Sequence, residues 1–163
     1  MNNDKLTINT PLWLVLLATV LLVVRIFIGG IETHHVDIDG INWLAASKID
    51  LTGRSYQPKL ILYSFTAKDN DLCIKMNNTS FLSKEVVNIV NEQFVPVQVQ
   101  NVEVLDESET CKISSELQQK FVVFIYPTLV VTLPNGKVIE SHSAYIGPKS
   151  LFRFLERCLK KAK

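Results

Sequence analysis

The run Lys59-Leu-Ile-Leu-Tyr-Ser-Phe65 is the clearest structural signal in the sequence. An apolar run of this length predicts a strand that is buried on both faces of a sheet. Further along, Phe94-Val-Pro-Val-Gln-Val-Gln100 alternates between apolar and polar residues, which predicts a second strand. Ser83 lies between the two runs and is a candidate N-cap for a helix with one apolar face. Because strands that are separated by a helix pair in parallel, the sequence predicts an α/β unit.

The rest of the chain continues this alternation of strands and helices. The dipeptide Asn135-Gly136 separates two further strand segments and supplies the positive φ angles that a hairpin turn needs. The other predicted elements are a short helix over residues 41–48, a helix over 114–121, strands over 128–133 and 137–141, and a final helix over 149–161 with an apolar stripe of Leu151, Phe152, Leu155 and Leu159. From the first buried strand onward the order is β-α-β-α-β-β-α, which predicts a mixed sheet flanked by helices.

The N-terminal region contains a long apolar run. Residues 11–31 hold one charged residue, Arg25. As a helix this run would be about 31 Å long, close to the roughly 30 Å hydrocarbon core of a bilayer. Trp13 suits a membrane interface at one end, and Arg25 can extend its side chain toward the headgroups at the other. We therefore expect a single-pass transmembrane anchor over residues 11–31, preceded by a tail over 1–10 and followed by a linker over 32–40.

Two other interpretations of this run stay open. A cleaved signal peptide would use the same apolar core, although the preceding residues carry only Lys5 against Asp4 and no small-residue cleavage motif follows. A buried helix of a soluble protein would show a polar stripe, which this run lacks. A single N-terminal anchor usually leaves the following domain outside the cytoplasm, so we expect residues 41–163 to form a domain on the extracytoplasmic, periplasmic side.

The composition argues against several classes of partner. The 163 residues are 47% apolar and carry a formal net charge of +1, which fits one globular domain with an appendage. Without a strong positive field, we expect no nucleic-acid partner. His34 and His35 have no cysteine nearby and point in different directions in any regular element, so no metal site is expected. We also expect no small-molecule cofactor.

The residues around the first cysteine match a known pattern. They are Phe65-Thr66-Ala67, Asp71-Leu72-Cys73, Thr79-Ser80-Phe81 and Glu85-Val86. This segment resembles the C-terminal domain of the thiol:disulfide interchange protein D family, whose members read F-T-A-x-W-C-x-x-C-K-x-x-E-x-T-T-F followed by E-V. The spacing is the same, with no gap.

Two other segments extend the resemblance to residues 41–159. Tyr126-Pro127-Thr128-Leu129 resembles the family's cis-proline segment, and Asn42-Trp43 resembles its upstream tryptophan element. The resemblance implies a thioredoxin-like fold. It also implies a groove beside Tyr126, Pro127 and Thr128, where backbone groups can accept an extended peptide.

Two departures from the family pattern bear on the redox chemistry. Asp69 stands where the family has tryptophan, and Asn70 stands where it has the first, nucleophilic cysteine. In the family that thiol lies at a helix N-terminus, where the helix dipole lowers its pKa from about 8.5 toward about 7 or below. Asn70 cannot form a thiolate, so Asp69 and Asn70 are the vestige of a redox motif of which Cys73 remains.

Cys111 is the candidate for replacing the missing cysteine. It opens the helix after the second strand's loop, and in this fold that loop leaves the sheet at the same edge as the motif. Two interpretations stay open: a Cys73–Cys111 disulfide, which needs Cα atoms within about 7 Å, or two partly buried thiols. Cys158 lies beside leucines of the final helix and is expected to pack in the core.

Two classes of function follow from these observations. The missing nucleophile favours a membrane-anchored, non-catalytic module that binds protein, as a scaffold in an envelope membrane assembly with a membrane or periplasmic protein as partner. The alternative is a thiol-disulfide oxidoreductase that works through Cys73, with Cys111 as a second thiol. The exposure of Cys73 helps to discriminate between them, because a shielded thiol is a poor nucleophile.

Overall fold

The computed structural model describes residues 40–48, 58–101 and 109–163. All of them belong to one compact unit, Ile38–Lys163. The predicted tail and anchor and nearly all of the predicted linker, residues 1–39, lie outside the described residues, and so do residues 49–57 and 102–108. Within the described ranges, no helix has the length and apolar character that a membrane crossing requires.

Five strands and four α-helices make up the described part of the chain. The strands are β1 (Leu44–Ala45), β2 (Leu60–Thr66), β3 (Phe94–Gln100), β4 (Thr128–Thr132) and β5 (Val138–Ser143). The helices are α1 (Asp71–Thr79), α2 (Lys84–Gln93), α3 (Glu109–Lys120) and α4 (Pro148–Lys161), and a 3-10 turn covers Ala46–Lys48. From β2 onward the order agrees with the prediction except that two helices, α1 and α2, lie between β2 and β3 where one was predicted.

The sheet brings two distant segments of the chain to one edge. Its strand order is β1-β3-β2-β4-β5. The central strand β2 pairs in parallel with β3 and antiparallel with β4, where Phe65 lies opposite Thr128. Because β4 runs against β2, the end of β2 and the start of β4 lie side by side. We call this place the motif edge: it carries α1, which follows β2, and Pro127, which precedes β4.

The core has two parts, one on each face of the sheet. All seven residues of β2 are buried, which confirms that this strand is covered on both faces. On one face Leu62 packs among residues of α1, α2 and α4, and on the other Tyr63 and Phe65 pack with Leu117 of α3. The alternation of side chains along β2 therefore holds the two helical layers to the same strand.

Two predictions near the ends of the domain differ from the structure. The short helix predicted over residues 41–48 is instead β1 followed by the 3-10 turn, because Leu44 and Ala45 pair in parallel with β3. On α4 the buried residues are Leu151, Phe154, Leu155 and Cys158, whereas Phe152 and Leu159 are half-buried. These four positions have the spacing of one helix face, so Cys158 packs in the core as predicted.

The cap of α2 differs in a smaller way. Ser83 occupies the N-cap position, as predicted, and Val86, Val87 and Val90 form the buried face of the helix. The Ser83 side chain makes no capping hydrogen bond. Burial of the valines against the sheet, and not the cap, therefore holds this helix in place.

Candidate functional site

Asn70 is the N-cap of α1, the helix that starts at the motif edge. Its backbone is extended, and its Oδ1 accepts hydrogen bonds from the N–H groups of Leu72 and Cys73, each at 3.0 Å. The first N–H groups of a helix have no partner inside the helix, and asparagine is among the preferred residues for satisfying them. The residue in the place of the nucleophile is therefore a helix cap, and a neutral amide oxygen occupies the position from which a thiolate would use the helix dipole.

Cys73 lies behind this cap in the first turn of α1. Its side chain is 2% exposed, and the N–H of Ala67 points at its Sγ at 3.4 Å. Burial raises the pKa of the Cys73 thiol, and the hydrogen bond from Ala67 offsets part of that rise. Cys73 is therefore held mainly as a thiol at neutral pH and is shielded from large disulfide substrates.

The cis-proline segment faces Cys73 across the motif edge. The Tyr126–Pro127 peptide bond is cis, which confirms the expectation from the family pattern. Burial raises the pKa of the Tyr126 phenol, and the neighbouring Cys73 raises it further. Thr128 donates a hydrogen bond from Oγ1 to the carbonyl oxygen of Ile125 at 2.7 Å, and this bond supports the turn into β4. Tyr126 and Cys73 therefore lie close enough for the charge of one to affect the pKa of the other.

The other two cysteines lie away from the surface. Cys111 is in the first turn of α3 and is 9% exposed. Cys158 is fully buried on α4, and burial raises the pKa of its thiol to about 12. The structure carries both of them, and Cys73, as thiols. A Cys73–Cys111 disulfide stays the alternative interpretation, for an oxidised form of the protein.

Large apolar side chains are exposed beside the motif edge. Leu72 on α1 is 42% exposed, and Ile125 and Phe124, just before Tyr126, are 59% and 83% exposed. Because Leu72 adjoins Cys73 and Ile125 adjoins Tyr126, exposed apolar groups flank the site from both chain segments. Surfaces of this kind commonly bind protein or membrane.

A sizeable surface cavity lies elsewhere on the domain. It has a volume of about 550 Å³, and Ile89 of α2 and Phe152 and Leu159 of α4 contribute apolar surface to it. Cys73 and Pro127 do not line it, so this cavity is separate from the motif edge. Among the described residues, no group of three or more histidines, cysteines and carboxylates could hold a metal ion.

Sequence reasoning missed the capping role of Asn70 and the exposure of Phe124 and Ile125. The cap had a usable signal, since asparagine directly before an acidic residue and an apolar segment is typical of a helix start. The exposure of Phe124 and Ile125 had none, because an apolar run before a strand reads equally well as core.

The central parallel and antiparallel pairs, the helix that follows β2 and the cis-proline opposite its first turn define a thioredoxin-like protein with one motif cysteine. The chain matches the model of the Thioredoxin-like domain family over residues 50–158, and it belongs to that family. This confirms the fold expected from the motif spacing. No curated protein matches the chain.

Solved structures share this fold at low sequence identity. DsbH oxidoreductase is 20% identical, with a TM-score of 0.67 over 79% of this chain and 91% of that chain. A thioredoxin from Thermus thermophilus is 18% identical, with a TM-score of 0.51 over 74% of this chain and 85% of that chain. The oxidised C-terminal domain of Neisseria meningitidis DsbD is 18% identical, with a TM-score of 0.49 over 63% of this chain and 83% of that chain. At these identities the likeness to DsbH oxidoreductase and to the Thermus thermophilus thioredoxin shows the fold alone.

Proposed function

We propose that this protein is a membrane-anchored thioredoxin-like module that binds an extended segment of a partner protein at the motif edge without dithiol exchange. The observation that carries the proposal is the position of Asn70, whose Oδ1 caps α1 where the family pattern has its nucleophilic cysteine. A residue that satisfies two N–H groups of the helix has a structural role and cannot attack a disulfide.

The state of Cys73 supports the same conclusion. Thiol–disulfide exchange proceeds through a thiolate, and the pKa of Cys73 is raised by burial. A mixed disulfide that did form at Cys73 would meet no second thiol within the motif, because Asn70 occupies that place. Such an adduct would persist instead of turning over.

The binding surface is the groove beside the cis-proline. An extended chain can bind there through backbone hydrogen bonds, while its side chains contact Leu72 on one side and Ile125 on the other. A non-catalytic role requires only that these groups stay accessible. The partner in this proposal is a membrane or periplasmic protein, because residues 11–31 would hold the domain near the bilayer as an anchor.

Turnover of a model disulfide tests the absence of catalysis. The full chain in detergent should reduce insulin with dithiothreitol no faster than the Cys73→Ala variant does. Asn70→Cys should add Cys73-dependent turnover, since it restores a thiol at a helix N-terminus. Cys73-dependent turnover by the natural sequence would instead establish the oxidoreductase alternative, and Cys111→Ala would then show whether Cys111 is the second thiol.

Photocrosslinking tests the binding role. A photoreactive amino acid at Ile125 should crosslink to an unfolded, carboxymethylated polypeptide, which lacks thiols. The matched control is the same group at Lys160, an exposed position on α4 beside the cavity described above. Equal crosslinking at both positions, or none at Ile125, would contradict binding at the motif edge.

A further inference from the structure

The loop between α3 and β4 begins with an unusual backbone. Val122 has a φ of 55°, in the left-handed region. The N–H of Val122 donates to the carbonyl oxygen of Gln119 at 3.2 Å, and the N–H of Val123 donates to that of Gln118 at 2.9 Å. This pair of bonds is the Schellman motif that ends many helices, and its left-handed position is usually glycine because a β-branched side chain is strained there.

Packing of the Val122 side chain inside the domain does not offset this backbone strain. Its side chain is 66% exposed, whereas Val123 is buried in the core under the loop. Phe124 and Ile125 follow with 83% and 59% of their surfaces exposed. We call Val122 and Phe124, the two most exposed of these residues, the apolar loop. A strained residue whose side chain faces outward points to a use at the surface, and a phenyl ring this exposed projects from the domain and does not line a groove.

Positive charge flanks the apolar loop. Lys120 ends α3, and its Nζ packs close to Gly136 in the β4–β5 turn, where an added Cβ would lie 3.3 Å away. The next residue, Lys137, is exposed. Two lysines therefore lie on the side of the loop where it leaves α3, and Glu116 is the carboxylate one helical turn before Lys120.

We propose that the apolar loop inserts into the interface of a lipid bilayer, with Lys120 and Lys137 against anionic headgroups. This proposal rests on the membrane anchoring proposed above. Projecting aromatic and aliphatic side chains beside lysines have the chemistry of an interfacial membrane contact, in which apolar groups enter the acyl boundary and cations pair with headgroups. Such a contact would hold the domain against the membrane surface and limit its partners to segments close to the bilayer.

A fluorescent probe on the loop tests the insertion. Phe124→Cys in the full chain is labelled with nitrobenzoxadiazole and reconstituted in phosphatidylcholine vesicles with or without phosphatidylglycerol. The three native cysteines are at most 9% exposed, so the label goes to the new thiol. The matched control is Leu82→Cys, since Leu82 is also exposed and apolar, at 66%, but lies between α1 and α2.

The expected result is a blue shift of the probe at position 124, quenching by acyl-brominated lipid, and no change at position 82. The shift should be larger with phosphatidylglycerol, and Lys120→Glu with Lys137→Glu should remove that increase. If the chain floats with the vesicles and the probe at 124 stays in water, the apolar loop does not insert and the anchor proposal survives. If the chain does not float, both proposals fail. A blue shift without quenching by brominated lipid overturns lipid insertion in favour of a protein contact.

Discussion

The contribution of the Asn70 cap to folding stability can be measured directly by removing the side chain. Asn70→Ala removes Oδ1, which accepts two N–H groups at 3.0 Å. Loss of an N-cap side chain costs about 0.5–2 kcal/mol. Two bonds are lost here, and the N–H of Cys73 is partly buried, so water replaces the acceptor incompletely. We therefore expect the free energy of unfolding to fall by about 1–2 kcal/mol, in the upper part of that range.

Urea unfolding of the full chain in detergent, followed by far-ultraviolet circular dichroism, measures this loss. The midpoint should fall while the slope m stays constant, since the surface exposed on unfolding is unchanged. In a thermal scan the same loss corresponds to a fall in Tm of about 5 °C. Asn70→Asp is the matched control: it keeps an acceptor oxygen and places a negative charge at the helix N-terminus, so its stability at neutral pH should equal or exceed that of the parent.

The relative stabilities of the position 70 variants show whether the cap stabilises the domain. Asn70→Cys should be nearly as unstable as Asn70→Ala, because a thiol is a weak hydrogen-bond acceptor. The disulfide turnover that Asn70→Cys is expected to gain would therefore be accompanied by a loss of stability of α1. If Asn70→Ala unfolds at the same urea concentration as the parent and Asn70→Asp, the cap contributes nothing, and capping does not account for the residue at position 70.

Three other predictions concern single groups. Iodoacetamide should alkylate Cys73 more slowly than free cysteine at neutral pH, because burial raises the pKa of this thiol. The alkylation rate, measured by mass spectrometry of the modified peptide, should rise with pH. A rate equal to that of free cysteine would refute the burial of Cys73. The pKa of the Glu140 carboxyl is lowered by hydrogen bonds from Lys161 and Arg157, so its stabilisation is present above the ordinary glutamate pKa and is lost as the pH falls through the lowered value. Glu140→Gln should therefore lower the free energy of unfolding by up to about 1 kcal/mol at neutral pH and leave it unchanged in strong acid. Urea midpoints of parent and variant across pH measure this, and a difference that does not change with pH would contradict the ion pairs. Val122→Gly should stabilise the domain by about 0.5–1 kcal/mol, since removing about 1–2 kcal/mol of left-handed strain outweighs the added freedom of glycine in the unfolded chain; a lower Tm would contradict this.

Local patterns were sufficient to predict strands β2 to β5 and helices α2, α3 and α4 in their order along the chain. The run from Lys59 to Phe65 reads as a strand covered on both faces, and all of β2 is buried. The spacing from Phe65 to Phe81 indicated the family, and the loss of the first cysteine is visible at Asn70 without a structure. These features are readable because side-chain periodicity and motif spacing are properties of consecutive residues.

Other features depend on which segments meet in three dimensions. The sequence of residues 41–48 looks helical, but pairing with β3 makes Leu44–Ala45 a strand, because backbone hydrogen bonds to a neighbouring strand outweigh a weak local preference. The buried face of α4 includes Phe154 and Cys158, and its position depends on the sheet that the helix covers. The exposure of Phe124 likewise depends on how the loop between α3 and β4 lies on the domain, since its neighbour Val123 is buried. Burial and exposure are relations between distant segments, so an apolar residue in the sequence is equally consistent with a core and with a surface that binds a partner.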